Sequence, residues 1–367
     1  MFVLHMAYTP LAGAPIRIVN ALNKHTNIKA RFVNFSPDEY GARTFPEDIT
    51  FANNREFIEF LISEADIVVA HHPIGLRENK FGINFKDIAK SSCKFVQHFH
   101  SNYYSYHMES PCLKGYDAYC VIPHYPERSF LGLEILPNII PINDNECIPV
   151  NMHNKVPKVV FSASIRNKRF SSRWGTKGYV EVSRKMKKLS KKYRFEYSEI
   201  FDRSYHEAMK TKQESDIVIG DIVTGSYHLT ELEGLSMGKC VFCNLDGRSV
   251  QTLMSEFACK DIPFVNVSLD ELDDILYQVI NKKLYKRIGE FSRIWIEKYY
   301  NDKYLIQRHV NFYNKVINGQ NTSRENATFY PDVKSFLYND VYDLIWNSKR
   351  MKSESLLTGL ISKKLKY

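Results

Sequence analysis

An α/β fold of two similar domains is what this sequence predicts. Three observations carry the prediction: short apolar strands alternate with amphipathic helices, a proline-rich break falls near the middle, and the same alternation restarts after it. The first half opens with the strand "FVLHM", the loop "AYTPLAGAP" and a helix whose apolar positions include Ile16, Val19 and Leu22. The strand "IKARFVNF" follows. The helix around "REFIEFLISEA" feeds the strand "DIVVAHHP", and "CKFVQHFHS" and "YDAYCVIPHY" continue the series. Strand-helix-strand alternation implies parallel pairing, and each strand ends in a loop rich in Gly, Pro, His or Ser.

"LPNIIPINDNECIPVNMHNKVP", Leu136 to Pro157, carries four prolines among Asn and Asp residues and reads as an interdomain linker. The alternation resumes with the strand "KVVFSAS", the polar loop "IRNKRFSSRWGTKG" and a basic helix in which Val182, Met186, Leu189 and Tyr193 recur at helical spacing. The lysines fall on its opposite face, which reads as solvated. Next come "RFEYSEI", a helix near "YHEAMKT", the strand "DIVIGD", a helix-turn-strand in "GSYHLTELEGLSMGKCVF", and "IPFVNV". Helices run from about Leu269 to Val316. "NGQNTSRENATFYPD" breaks the chain again, and a final helical region starts near Val333. The expected division is a first domain over 1–140, a linker over 141–157, a second domain over 158–317, and a linker with a helical extension over 318–367.

At 367 residues with 44% hydrophobic content, the chain can supply two cores, which excludes wholesale disorder. It has no run of 18 apolar residues, and its start lacks a basic segment followed by a long apolar one, so a cytoplasmic protein is expected. Seven cysteines without regular spacing fit a reducing compartment. Cys240 and Cys243 form a lone CxxC in a strand, with no second pair to complete a zinc site.

The net charge of +9 favours an anionic partner. Much of the excess lies in Ser183 to Arg194 and in Ser348 to Tyr367. In the tail, Leu356, Leu357, Leu360, Ile361 and Leu365 can share a helical face ringed by lysines, as in helices that lie on an anionic membrane surface; packing back onto the protein is the alternative. No RNA or DNA motif is present, and the basic helix has few aromatics for base stacking, so no nucleic-acid partner is expected.

Arg166 and Lys177 bracket the loop after the first strand of the second half. A guanidinium and a lysine there can neutralise a diphosphate. Gly13, in the first strand-to-helix turn, can let backbone N–H groups approach a phosphate. In "TELEGL", Thr230 and Glu233 have the spacing of a capping box, in which Glu or Gln serves at the acid position.

"SASIRNKRFSSRWGTKGYVEV" resembles the phosphate-gripping segment of GT-B glycosyltransferases, and "GSYHLTELEGLSMGKCVF" resembles their E-x7-E region. The resemblance implies two Rossmann-like domains facing across a cleft, with a nucleotide-sugar donor on the second and a glycan or lipid-linked acceptor on the first. Glu233 falls on the second acid, which in the family receives the ribose hydroxyls. Eight residues earlier stands Gly225, with Ser226 and Tyr227 beside it as in a G-x-Y-G variant, and His228 in the place of the last glycine. Ser226 and Tyr227 are thereby implied to hold the donor sugar. "HFHS" falls where many such transferases place a histidine near the transferred sugar, which makes His100 the catalytic candidate, with His71 and His72 as comparable residues one strand earlier. No Asp-x-Asp motif argues for a metal on the diphosphate, so neither cofactor nor metal is expected. A sugar-nucleotide epimerase would share this architecture, and a basic nucleic-acid-binding protein is a third reading.

If Glu233 receives ribose, Glu233→Gln is expected to weaken nucleotide binding with little change in stability. Glu231 is expected to point elsewhere and to tolerate the same change.

Overall fold

The structure, a computed structural model, describes residues 1–35, 49–52, 54–100, 114–124, 127, 130, 132–150, 154–162, 177–200 and 203–323. Arg166 and the tail 348–367 lie outside the described residues. The chain divides into two units: Met1–Pro141 with the segment that begins at Asn301, and Ile142–Tyr300.

The first unit runs β1 (Phe2–Ala7), α1 (Ala14–His25), β2 (Lys29–Asn34), β3 (Ile49–Thr50), α2 (Arg55–Glu64), β4 (Ile67–Ala70), α3 (Phe85–Ile88), β5 (Lys94–Phe99), β6 (Ala118–Val121) and β7 (Glu134–Ile135). All strand pairs are parallel, in the order β3-β2-β1-β4-β5-β6-β7. The chain winds one way from β1 and the other way from β4, which puts a switch point between these two strands, where open α/β sheets hold their ligands. Strands buried on both faces read as nearly continuous apolar runs, as "VLHMA" and "IVVA" do. One face packs Leu4, Met6, Val68, Ala70 and Phe95 with Ile58 and Ile62 of α2 and Phe85 of α3.

The second unit runs β8 (Lys158–Ser162), α4 (Tyr179–Lys192), β9 (Glu196–Ile200), α5 (Tyr205–Gln213), β10 (Ile217–Ile219), α6 (Leu229–Ser236), β11 (Cys240–Cys243), α7 (Gly247–Phe257), β12 (Val265–Asn266), α8 (Leu272–Asn281) and α9 (Leu284–Tyr299). Its sheet is also parallel, ordered β12-β11-β10-β8-β9, with a switch point between β8 and β10. Val182, Met186 and Leu189 of α4 enter the core with Phe161, Ile217, Ile219 and Phe242, as their spacing predicts. The lysines of α4 are not all idle on the outer face. Lys187 pairs with Glu199 at 3.0 Å, and Lys185 Nζ donates to the Leu269 carbonyl at 2.5 Å. Cys240 and Cys243 are fully buried thiols whose pKa values burial pushes up, which is core chemistry and not metal or redox chemistry.

Two expected boundaries shift. The final helix, α10 (Asp302–Ile317), packs on α1 and so belongs to the first unit, not to the second domain where its sequence position put it. The stretch expected as a linker is packed as well. Ile142 and Cys147 are fully buried in the second unit, where Arg293 Nη1 donates to both of their carbonyls, at 2.9 and 3.3 Å. Prolines and asparagines there shape irregular backbone that is nonetheless held by side-chain hydrogen bonds.

Candidate functional site

At the switch point of the second unit, the carboxyl ends of β8 and β10 meet the starts of α4 and α6. Helix starts present unpaired N–H groups and the positive end of the helix dipole, which suits an anionic ligand. Lys177 and Gly178 lead into α4 with left-handed backbones, φ +54° and +66°. A Cβ on Gly178 would lie 2.3 Å from Cγ2 of Val223, so the glycine permits the loop after β10 to press against the start of α4. Thr230, in the first turn of α6, donates to the Ser162 hydroxyl at the end of β8, at 2.7 Å. Lys177 is thus brought close enough to the loop after β10 for its charge to act on Asp221.

Asp221 organises the loop after β10. Fully buried, it accepts from the backbone N–H groups of Val223 and Thr224 at 2.9 Å each, from the Thr224 hydroxyl at 2.7 Å, and pairs with His228 Nε2 at 3.0 Å. Burial alone would raise its pKa, but the contact with His228, the Lys177 charge and the Thr224 hydroxyl outweigh it and leave the pKa at about 2. The His228 side chain is 32% exposed, so an imidazole oriented by a buried carboxylate faces outward at the start of α6. Sequence reading passed over Asp221. Its signal was the Asp-x-x-Thr spacing directly after a strand, the pattern of an Asp side chain that closes a turn.

The structure reassigns the acids of α6. The helix begins at Leu229 with His228 as its cap, so the capping role falls on Glu231 and not on the Thr230–Glu233 pair. Glu231 is fully buried and accepts from the N–H groups of His228 at 2.9 Å and Asp221 at 2.6 Å. It thus points elsewhere than Glu233, as expected, but its buried hydrogen bonds speak against the expected tolerance of change. Glu233 is buried too and forms an ion pair with the buried Lys212, which also reaches the Thr230 hydroxyl at 3.3 Å. Ser226 and Tyr227 are both fully buried, with the Tyr227 ring 5.6 Å from that of Phe264. A ligand contact from Tyr227 would have to come from its main chain.

In the first unit, the turn after β1 holds three consecutive left-handed residues, Leu11, Ala12 and Gly13, at φ +46°, +53° and +85°. Two of these are not glycine, and such backbone strain gathers at functional turns. The N–H of Gly13 is donated to the Pro10 carbonyl at 2.7 Å, that of Ala14 to Leu11, and Pro15 has none. The N–H groups of Gly13 and Ala14 themselves are therefore already engaged.

His100 does not stand alone. Its Nε2 lies 2.8 Å from Nδ1 of His71, whose Nε2 lies 2.8 Å from Nδ1 of His5. The His98 ring is 4.5 Å from that of His100 and 6.0 Å from that of His309 on α10. The register aligns His5 with Val69 and Val69 with Val96, so alternation puts His5, His71, His98 and His100 on one face of the sheet beside the β1–β4 switch point. Burial and the charges of the neighbouring histidines hold His71, His98 and His100 well below the usual imidazole range. Burial likewise takes His5 to about 3 and, with the Lys80 charge, His72 to about 4. These rings are neutral at physiological pH, a state that offers lone pairs. His72 sits to one side, accepting at Nδ1 from the Tyr8 N–H at 3.2 Å.

No family model matches the chain, and no curated protein matches it in sequence. Solved structures do. Sucrose-phosphate synthase from Thermosynechococcus elongatus aligns over 87% of this chain and 100% of its own, with 11% identity and a TM-score of 0.56. HepE from Anabaena, solved with UDP and glucose, aligns over 86% and 100%, with 12% identity and a TM-score of 0.55. A glycosyltransferase from Rickettsia africae covers 86% and 98%, with 12% identity and a TM-score of 0.52. At such identities the likeness speaks for the fold, and the chain accordingly has the GT-B fold, built from two Rossmann-like α/β units.

Proposed function

We propose that this chain is a glycosyltransferase that moves a sugar from a nucleotide-sugar donor to a hydroxyl of a glycan or lipid-linked acceptor, in the cytoplasm, for surface polysaccharide synthesis. The observation that carries the reading is the meeting of Lys177, the Asp221-held His228 and the starts of α4 and α6 at the switch point of the second unit. The leaving nucleoside diphosphate gains negative charge as the glycosidic bond breaks. Fixed positive groups and helix N-termini would stabilise that charge in the transition state, with no need for a metal on the diphosphate. Arg166 would add a guanidinium, Glu233 would receive the ribose, and His100 would serve at the acceptor hydroxyl. HepE, of the same fold, is solved with UDP and glucose, which favours a uridine nucleotide as the first donor to try.

Thermal stabilisation by a panel of nucleotide sugars tests the proposal, because a ligand that binds only the folded chain at about 100 times its Kd adds roughly 2.7 kcal/mol. We expect at least one nucleoside-diphosphate sugar to raise Tm and to be consumed only when an acceptor is present. Consumption without an acceptor would mean an epimerase, and no stabilisation by any of the panel would sink the reading. Lys177→Asn keeps a residue that tolerates the left-handed backbone while removing the charge, and should weaken nucleotide binding about tenfold. Among the described residues no helix is long and apolar enough to cross a membrane. The tail 348–367 would bring the enzyme to an anionic membrane surface. Unchanged sedimentation with anionic liposomes after its removal would dismiss that role.

A further inference from the structure

His71, His98 and His100 each place one ring nitrogen so that the three atoms lie within 4.8 Å of one another. We propose that these three imidazoles form a binding site for a divalent transition-metal ion of the zinc class. The inference shares His100 with the glycosyl-transfer reading, which puts that residue at the acceptor hydroxyl, but not the nucleotide site, which concerns the second unit and an anionic ligand.

The donor set decides the class of ion. Imidazole nitrogens suit zinc and its neighbours, whereas calcium and magnesium take oxygen. Three protein ligands leave one position of a tetrahedron for water or a ligand oxygen. Zinc–nitrogen bonds of about 2.0–2.1 Å imply nitrogens roughly 3.3 Å apart, so an ion would spread the His71–His100 pair from 2.8 Å and draw the His98 nitrogen in.

Two further observations point to a ligand at this place. First, His98 is fully buried, yet neither of its ring nitrogens has a hydrogen-bond partner of ordinary geometry, with only a weak approach from the Leu136 backbone. A buried imidazole without partners is costly, and a bound ion is one of the few things that satisfies it. Second, at His71 the outer partner that metal-bound histidines require is already in place. His71 can keep its proton on Nε2, donate it to His5 Nδ1 at 2.8 Å, and present the Nδ1 lone pair inward. With His100 protonated at Nε2, its N–H fills that lone pair at 2.8 Å. When an ion binds, the proton of His100 moves to its Nδ1, so both inward nitrogens become ligands with no net proton released.

The test uses the full chain without any added histidine tag, stripped by a chelator and then titrated with Co2+ and Zn2+. The expected result is about one equivalent of ion per chain, with the visible spectrum of nitrogen-ligated tetrahedral cobalt, bleached by zinc. His98→Ala should weaken binding by more than ~100-fold and abolish the spectrum. His206→Ala, an exposed histidine paired with Glu146 in the second unit, should bind as the parent does. Should His98→Ala fail to fold, His98→Gln replaces it, because its amide fills much of the same space. A parent that takes up neither ion, or a folded His98 variant that binds as tightly as the parent, overturns the proposal. Nucleotide-sugar stabilisation, measured on the chelator-treated chain, reports separately on the glycosyl-transfer reading.

Discussion

Glu231 and Glu233 stand two positions apart in one short helix and serve different partners. Glu233 neutralises the buried Lys212, so Glu233→Gln strands a buried cation. We expect a loss of about 3 kcal/mol in denaturant titration, in contrast to the small change that the sequence suggested. Adding Lys212→Met should recover part of that loss, because the orphaned charge goes with it. The ribose role is tested separately, by calorimetry on folded protein, where a weakening of roughly 1.5 to 3 kcal/mol is expected for the lost charge-assisted hydrogen bond. Glu231→Gln should cost about 1–2 kcal/mol, since an amide has one accepting oxygen for two backbone N–H groups. Glu231 was expected to tolerate change, whereas a role for Glu233 was legible in the sequence. Which one caps the helix was not, because the cap depends on where the chain turns, and here it turns at His228, outside the usual set of capping residues.

The loop between β10 and α6 owes its shape to one carboxylate. Asp221 has a folded-state pKa of about 2 against an ordinary 3.8, so it remains ionised in the folded chain at pH values where the unfolded chain binds a proton. Its contribution, about 2 kcal/mol, is fully present above pH 3.8 and is lost as the pH falls towards 2. Acid titration of unfolding should therefore be flatter for Asp221→Asn than for the parent across that window. On the other side of the loop, Gly178→Ala must accept both a left-handed backbone and a contact with Val223, and should destabilise by about 2–3 kcal/mol by thermal melts. Among the elements, α4 was legible because a stripe at helical spacing needs only local sequence. The two-residue strands β3 and β7 were not, since they exist through pairing with β2 and β6 and carry no periodicity of their own.

At the scale of the whole molecule, the return of α10 to the first unit is the feature with the largest energetic reach. Leu305, Ile306, Phe312 and Tyr313 of α10 are buried, and the Arg308 guanidinium donates to the Ile135 carbonyl at 2.9 Å. A chain ending at residue 300 should lose hydrogen-exchange protection in β1, β4 and β5 while β8, β10 and β11 keep theirs. Equal loss in both units would contradict that assignment. Alternation of strands and helices, the basic stripe of α4 and the E-x7-E-like motif were all present in the sequence, and they suffice for a two-unit parallel α/β fold. These are local patterns, set by backbone periodicity and by the water–core partition of each side chain. Three features belong to the tertiary structure alone: the pairing of Glu233 with Lys212, the capture of His228 by Asp221, and the line of histidines that joins His5 to residues about 66 positions away. Periodicity shows none of these contacts: Asp221 and His228 are seven positions apart but meet only through the turn after β10, and the histidines become neighbours only through crossovers, after which the register of the sheet selects which side chains share a face.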